Sequence, residues 1–302
     1  MSFEKYQHVT RFGTSEVAGI EVGTCHIFPK LDGTNGSIWF DERVRCGSRN
    51  RELSLNQDNH GFMEAVLQDE RYKAFFADNT HLRLFGEWLV PHTIKAYREE
   101  AWRKFYVFDV VDESVDNMAL LQKGVQHIPF EEYEPLMKQF GIDYIPCVKI
   151  IENPSKEQLY ACLEDNTYLM QQGELGEGIV IKNYDFANRY GRQTWAKIVR
   201  SEFKDKAIGT HGPTKQQGAS TVEQDIAAIY VTEALVRKEL AKIVNEDDGK
   251  PVQPRLLSTV YYCILTEETW NFVKKFKNPT IDFKLLQRHV TLRVKKFAQE
   301  YF

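Results

Sequence analysis

The sequence predicts an α+β fold in two parts, a strand-rich mixed region followed by a small all-helical one. Three observations carry this reading. Short runs rich in β-branched and aromatic residues, bounded by turn formers, recur through the first two hundred residues. Segments with apolar residues at three- and four-residue spacing lie between those runs, and beyond residue 220 only the helical spacing remains. At 302 residues the chain has room for one large core and a smaller companion, because single cores stop growing near about 250 to 300 residues.

In chain order, Ser37-Ile38-Trp39-Phe40, Arg83 to Trp88, Phe105 to Val111 and Gly178 to Lys182 read as strands. Gly61 to Phe76, Pro129 to Phe140 and Lys156 to Gln172 read as helices. Helices fall between strands without a regular βαβ alternation, which points to antiparallel sheets. Near Lys204 the character changes: Lys206 to Ser220 holds Gly209, Gly212, Pro213 and Gly218 among polar residues and no aromatic at all. The expected organisation is therefore a domain over 1–204, a linker over 205–220 and a helical domain over 221–302. Ser220 with Glu223 gives a capping-box signature, followed by Val222, Ile226, Ile229, Val236, Leu240 and Ile243 on a helical repeat. Phe283, Leu286, Val290, Val294, Phe297 and Tyr301 form a second apolar stripe, with Lys284, Arg288 and Lys295 on a neighbouring face.

Composition excludes several classes. Apolar residues at 42% and charged residues at 27% are ordinary for a globular chain, so extensive disorder is not expected. No apolar run approaches the roughly 18 residues of a membrane span, and the N-terminus lacks the layout of a secretory signal, so a cytoplasmic protein is expected. Five scattered cysteines without a C-x-x-C pair argue against a disulfide framework or a structural zinc site. The net charge is -4, yet Trp270 to Phe302 carries eight Lys/Arg against two acids. A basic end on a mildly acidic body suits contact with a phosphate backbone, although any one of these lysines could equally belong to a solvated helix face.

The segment richest in chemistry is Lys30-Leu31-Asp32-Gly33-Thr34-Asn35-Gly36. A lysine at the end of an apolar stretch, two residues before Asp-Gly, is where an amine nucleophile belongs: held on a rigid element, with a glycine turn that admits phosphate close to backbone amides. An amine attacks only after losing its proton, so such a site calls for neighbouring cations. Taken alone the string could also be a surface turn.

Its company decides between these readings. The segment resembles motif I of the covalent nucleotidyltransferases, the group of DNA ligases, RNA ligases and mRNA capping enzymes, and Asn35 resembles the RNA ligase version of it. Ser48-Arg49 resembles motif Ia, Gly86-Glu87-Trp88 the Gly-Glu element, Phe105 to Val111 motif III, Glu177-Gly178-Ile179-Val180-Ile181-Lys182 motif IV, and Ala196-Lys197-Ile198-Val199 motif V. Six matches in the family's order implicate Lys30, Lys182 and Lys197 in catalysis. They also imply nucleotide binding by Lys30, Asp32, Asn35, Arg49, Glu87, Phe108, Glu177, Lys182 and Lys197. By the resemblance Lys30 takes AMP from ATP, Arg49 forks onto phosphate, Glu87 binds the ribose, Phe108 stacks on adenine, and Glu177 holds Mg²⁺ or Mn²⁺. The fold implied is a nucleotidyltransferase domain with ATP-grasp-like antiparallel sheets.

Helices after motif V, where DNA ligases and capping enzymes usually carry a β-barrel module, look like the nick-sealing RNA ligases of T-even phages and kinetoplastid editing. That resemblance implies a monomer acting on RNA with 3′-hydroxyl and 5′-phosphate ends, with Lys284, Arg288 and Lys295 gripping the RNA. A minimal DNA ligase and a catalytically silent RNA-binding module are the competing readings. Two departures stand out. Val199 occupies the place of a second motif V lysine, and Pro29 replaces the acidic residue some relatives carry before the nucleophile. Strict pleating sends Glu177 and Lys182 to opposite faces, which leaves two arrangements open: a bulge between them, or a Glu177 that reaches in from the strand end.

Overall fold

The computed structural model describes residues 2–91, 94–114, 127–200, 221–245 and 251–302. The chain divides into two compact units, Met1–Arg200 and Ser201–Phe302. The expected linker, 205–220, and the helix cap expected at Ser220 lie outside the described residues.

The first unit is built on two sheets. One contains β1 (Thr10–Arg11), β2 (Thr24–Lys30), β7 (Lys149–Glu152), β8 (Gly178–Lys182) and β9 (Ala196–Val199) in the order β1-β9-β8-β2-β7. Its pairings are antiparallel except for the short β1–β9 contact, which is parallel. The other sheet contains β3 (Thr34–Asp41), β4 (Arg43–Ser48), β5 (Leu82–Trp88) and β6 (Phe105–Asp112) in the order β4-β3-β5-β6, antiparallel throughout. The turn Leu31-Asp32-Gly33 carries the chain from one sheet to the other. A side chain at Gly33 would meet the Trp88 carbonyl oxygen at 2.5 Å, so this turn closes only over glycine.

Alternation along the strands of the five-stranded sheet sets two different faces. Cys25 and Ile27 of β2, Ile179 and Ile181 of β8, and Ala196 and Ile198 of β9 bury one face together with Leu159, Cys162, Phe12 and Ile20. The intervening residues, His26, Phe28 and Lys30 of β2, Val180 and Lys182 of β8, and Lys197 of β9, share the opposite face, as the registers Phe28↔Val180, His26↔Lys182 and Val180↔Lys197 require. Phe28 on that face joins the largest core, where Ile38, Leu84 and Val107 of the four-stranded sheet pack with helices. Those helices are α1 (Phe62–Gln68), α2 (Glu70–Asp78) and α3 (Phe130–Phe140), and they bury Phe62, Val66, Phe75, Phe76, Tyr133 and Met137.

Two expected helices are shorter than their apolar spacing suggests. The run from Gly61 to Phe76 breaks at Asp69, which leaves the helical conformation and caps α2 by accepting a hydrogen bond from the Arg71 amide. The run from Lys156 to Gln172 is helical only over α4 (Lys156–Ala161), entered through a Ser155/Gln158 capping box. Beyond it Asn166 is buried: its side-chain amide donates to the Gly178 carbonyl, and its backbone carbonyl accepts from the Gly176 amide at 2.8 Å. These bonds brace the approach to β8.

The second unit is helical over its described residues: α5 (Val222–Tyr230), α6 (Glu233–Asn245), α7 (Val252–Cys263), α8 (Thr269–Lys275) and α9 (Phe283–Phe297), with a π-helical turn at Ile264–Glu268. Its core holds Ile226, Val236, Leu240, Leu256, Val260, Phe272, Leu286, Val290 and Val294. Thr221 caps α5 through the Gln224 amide, and Glu223 reaches across to the Asp282 amide at 2.9 Å. The repeat from Val222 to Ile243 is two helices, because Thr232 starts a new one by accepting from the Leu235 amide. On α9 the apolar stripe is buried only through its middle; Phe283 and Tyr301 are exposed.

The register predicts the cost of one substitution. A side chain at Gly178 would lie 2.1 Å from the Ile198 carbonyl oxygen. Gly178→Ala is therefore expected to lower stability by about 1–3 kcal/mol, as overpacking does, measured by urea unfolding.

Candidate active site

Lys30 is the last residue of β2 and pairs in register with Gly178, the first residue of β8. Glu177 sits just before that strand and turns its carboxylate toward the amine, so that Lys30 Nζ donates to Glu177 Oε2 at 2.6 Å. The β2–β8 register runs without interruption, so Glu177 reaches in from the strand end and no bulge intervenes. Its side chain is buried, whereas that of Lys30 keeps 22% of its surface open and is accessible to a ligand.

The turn after Lys30 is held from several sides. The Gly33 amide donates to Glu87 Oε1 at 2.9 Å, and the Asp32 amide donates to the Tyr97 hydroxyl at 2.8 Å. Asp32 is buried, and its Oδ2 accepts from the Ile94 amide at 2.7 Å, which ties the segment around Ile94 and Tyr97 to the nucleophile turn. Glu87 is pushed up to about 7: burial raises it most, Lys30 and the Gly33 amide oppose the rise, and Glu177 and Asp32 add to it. Three carboxyl groups thus share the electrostatic neighbourhood of one amine. Asn35 pairs in register with Glu87, and Arg49 follows Ser48, the partner of Gly36, so the half-buried Arg49 begins its turn level with Asn35.

A second charged group lies on the same sheet face. Lys182 is buried and donates to Asp109 Oδ1 at 2.8 Å and to the Phe108 carbonyl, with its ammonium 4.5 Å from the Phe28 ring centroid. Asp109 also accepts from the Trp195 indole at 3.0 Å and from the Tyr6 hydroxyl. Burial alone would raise the Asp109 carboxyl, but Lys182, His127 and the hydrogen bonds from Lys182 and Tyr6 hold it below the usual carboxylate range. Burial pulls Lys182 below the usual lysine range, and Asp109 offsets part of that fall. In β6 the register skips a residue, with Phe85 opposite Asp109 and Gly86 opposite Val107. Phe108 is therefore the extra residue of a bulge, which frees its half-buried ring from the pleat and sets it beside Tyr6, ring centroids 4.9 Å apart.

Lys197 is half-buried on β9 opposite Val180 and so shares the face of Lys30 and Lys182. Val199 falls on this face too but is buried, and Arg200 turns away to the Leu163 carbonyl and Glu164. Neither stands in for a second motif V lysine. Lys284, Arg288 and Lys295 are exposed on α9 of the second unit.

The sequence model of one family, RNA ligase, matches residues 24–199. The chain belongs to the RNA ligase family. Solved structures of a Naegleria gruberi RNA ligase share the fold: a lysine-to-alanine variant without ligand (TM-score 0.51, 21% identity), a lysine-to-methionine variant with AMP and manganese (0.51, 20%), and a glutamate-to-alanine variant with ATP and manganese (0.51, 19%). Each comparison covers 67–68% of this chain and 57–58% of the Naegleria protein, so the chain spans less than two thirds of that relative's length. Among curated proteins no match was found.

Several residues of this RNA ligase family site carry no signal of their own in the sequence. Tyr6 and His127 reach Asp109 from distant segments, and Tyr97 supports Asp32 from an irregular stretch. Trp195 had one clue: it lies two residues before Lys197, on the same side of an extended chain.

A pH dependence follows from Glu87. Its carboxyl is raised in the folded state, so the fold binds a proton there before the unfolded chain does, and its contribution to stability grows as pH falls from about 7 toward the ordinary value of 4.5. Glu87→Gln keeps an acceptor for Gly33 but cannot titrate. Urea unfolding at pH 8 and pH 5 is expected to show the variant more stable relative to wild type at pH 8 than at pH 5.

Proposed function

We propose that the chain is an ATP-dependent RNA ligase that joins RNA 3′-hydroxyl and 5′-phosphate ends through lysyl-AMP on Lys30 and an adenylylated RNA. The observation that carries this is one arrangement: a solvent-accessible amine 2.6 Å from a buried carboxylate, on a sheet face shared with two further lysines, within the span of the RNA ligase family match.

In the first step Lys30 Nζ attacks the α-phosphorus of ATP; the P–N bond forms and the bond to pyrophosphate breaks. An oxygen of the RNA 5′-phosphate then attacks the same phosphorus and releases the lysine. Finally the 3′-hydroxyl oxygen attacks the 5′-phosphate and AMP departs. Phosphoryl transfer gains most from positioning and from neutralising charge on non-bridging oxygens. Lys197 and Lys182 supply positive charge, with Lys182 fixed by Asp109. Arg49 is suited to fork onto phosphate, Glu87 to accept from a ribose hydroxyl, Asn35 to contact the bound nucleotide, and Phe108, freed by its bulge, to present a ring face to adenine.

A divalent cation fits the donors present. No cluster of three or more His, Cys, Asp or Glu suited to a metal occurs among the described residues, while Glu177 offers a buried carboxylate beside the amine. That suits Mg²⁺ or Mn²⁺, which bind through one or two carboxylates with water and phosphate completing the shell. Such a cation would withdraw charge from the reacting phosphate and compete with Lys30 for Glu177.

The basic face of α9, through Lys284, Arg288 and Lys295, would hold nicked duplex RNA, consistent with RNA repair by a monomer. The five cysteines are free thiols, which suits the reducing cytoplasm, and no helix among the described residues is long and apolar enough to cross a membrane.

The test is sealing of a nicked duplex with RNA or DNA on the 3′-hydroxyl side, with ATP and magnesium. The full chain is expected to seal the RNA nick and the Lys30→Ala variant to seal nothing. A chain ended after Lys206 should still take label from ATP carrying a labelled α-phosphate yet lose most sealing. Equal sealing of DNA nicks would favour a minimal DNA ligase, and full sealing by the shortened chain would overturn the role given to the helices.

A further inference from the structure

Residues 183–195 join β8 to β9 and so connect the strands that carry Lys182, the last residue of β8, and Lys197, the second residue of β9. The base of this connection is anchored. Trp195 is buried, Tyr184 packs edge-on against it with centroids 5.3 Å apart, and the buried Gln193 donates to the Tyr184 carbonyl at 2.9 Å. Asn188 is buried as well, and its Oδ1 accepts from the amides of Tyr190 and Arg192.

From this rigid base the tip holds out three large side chains. Tyr190 is 65% exposed, and the Arg189 guanidinium stands 4.8 Å from its ring centroid while donating to its hydroxyl at 2.7 Å. Arg192 is exposed beside them, and Asp185 is the one acid of residues 184–193. A large ring held open to water by an arginine contributes little to folding. The combination of a π-face, two guanidinium groups and little opposing charge is complementary to a nucleic-acid strand, whose bases stack on aromatic rings and whose phosphates pair with arginine.

We infer that this tip is a contact for the RNA strand: an unstacked base lies on the open face of Tyr190, and Arg189 and Arg192 meet the flanking phosphates. The inference rests on the ligase reading and adds a positioning surface at the Lys182–Lys197 end of the hairpin. A protein partner would be the other occupant of such a surface, and the experiment separates the two.

The test measures binding of a fluorescein-labelled, 5′-phosphorylated nicked RNA duplex with one unpaired nucleotide at the nick by anisotropy, without ATP, so that binding is read apart from chemistry. Tyr190→Ala is expected to raise Kd about tenfold, in line with the loss of one stacked base, and Tyr190→Phe to stay within about twofold of wild type. The double variant Arg189→Ala/Arg192→Ala is expected to make the dependence of Kd on salt shallower by about one to two charges. Melting temperatures of the variants equal to that of wild type show that the fold is kept; Arg192→Ala alone, with its expected shallower salt slope, serves if a Tyr190 variant does not fold. Unchanged RNA affinity in both Tyr190→Ala and the double arginine variant would overturn the inference and leave a protein partner for this surface. RNA binding that depends on Tyr190 in a chain that forms no lysyl-AMP would refute the ligase reading instead.

Discussion

The register between β2 and β8 is the constraint on which the site depends. Pairing Lys30 with Gly178 brings Glu177 to the amine at 2.6 Å, and the same pleat carries Lys182 and, through β9, Lys197 onto one face. A one-residue slip of β2 would send Lys30 to the opposite, aliphatic face, where Ile179, Ile181 and Ile198 now pack, and away from Lys182 and Lys197. Gly178 holds the register from the other side, since no side chain fits between it and the Ile198 carbonyl.

Gathering lysines on a partly buried face has an electrostatic cost that the fold offsets locally. An unpaired buried charge costs several kcal/mol. Glu177 compensates Lys30, and Asp109 compensates Lys182, with Tyr6 and Trp195 filling further acceptor positions of that carboxylate. Asp109 belongs to the four-stranded sheet and Lys182 to the five-stranded one, so this ion pair also joins the two sheets. The chemistry and the packing of the first unit therefore share the same bonds.

Much of this was legible in the sequence because it is local. The strands around Ile38, Leu84, Val107 and Val180 announced themselves through β-branched and aromatic runs, and the ordered motifs from Lys30 to Val199 pointed to the family before any contact was known. Parity is compatible with two placements for Glu177, and only the start of the strand at Gly178 chooses between them. Asp69 and Thr232 show why helices run shorter than apolar spacing suggests: a single polar side chain that bonds nearby backbone ends or restarts a helix, and apolar spacing is blind to it. The bulge at Phe108 and the approach of Tyr6, Tyr97 and His127 arise from long-range pairing, which leaves no mark on neighbouring residues.

The chemistry turns on a single nitrogen, Lys30 Nζ. Incubating the protein with ATP and magnesium, digesting it, and locating the adenylyl group by tandem mass spectrometry tests this most directly. The geometry predicts AMP on the peptide containing Lys30, in an acid-labile phosphoramidate bond. An adduct confined to Lys182, Lys197 or any other residue, or none at all in folded protein, would contradict it.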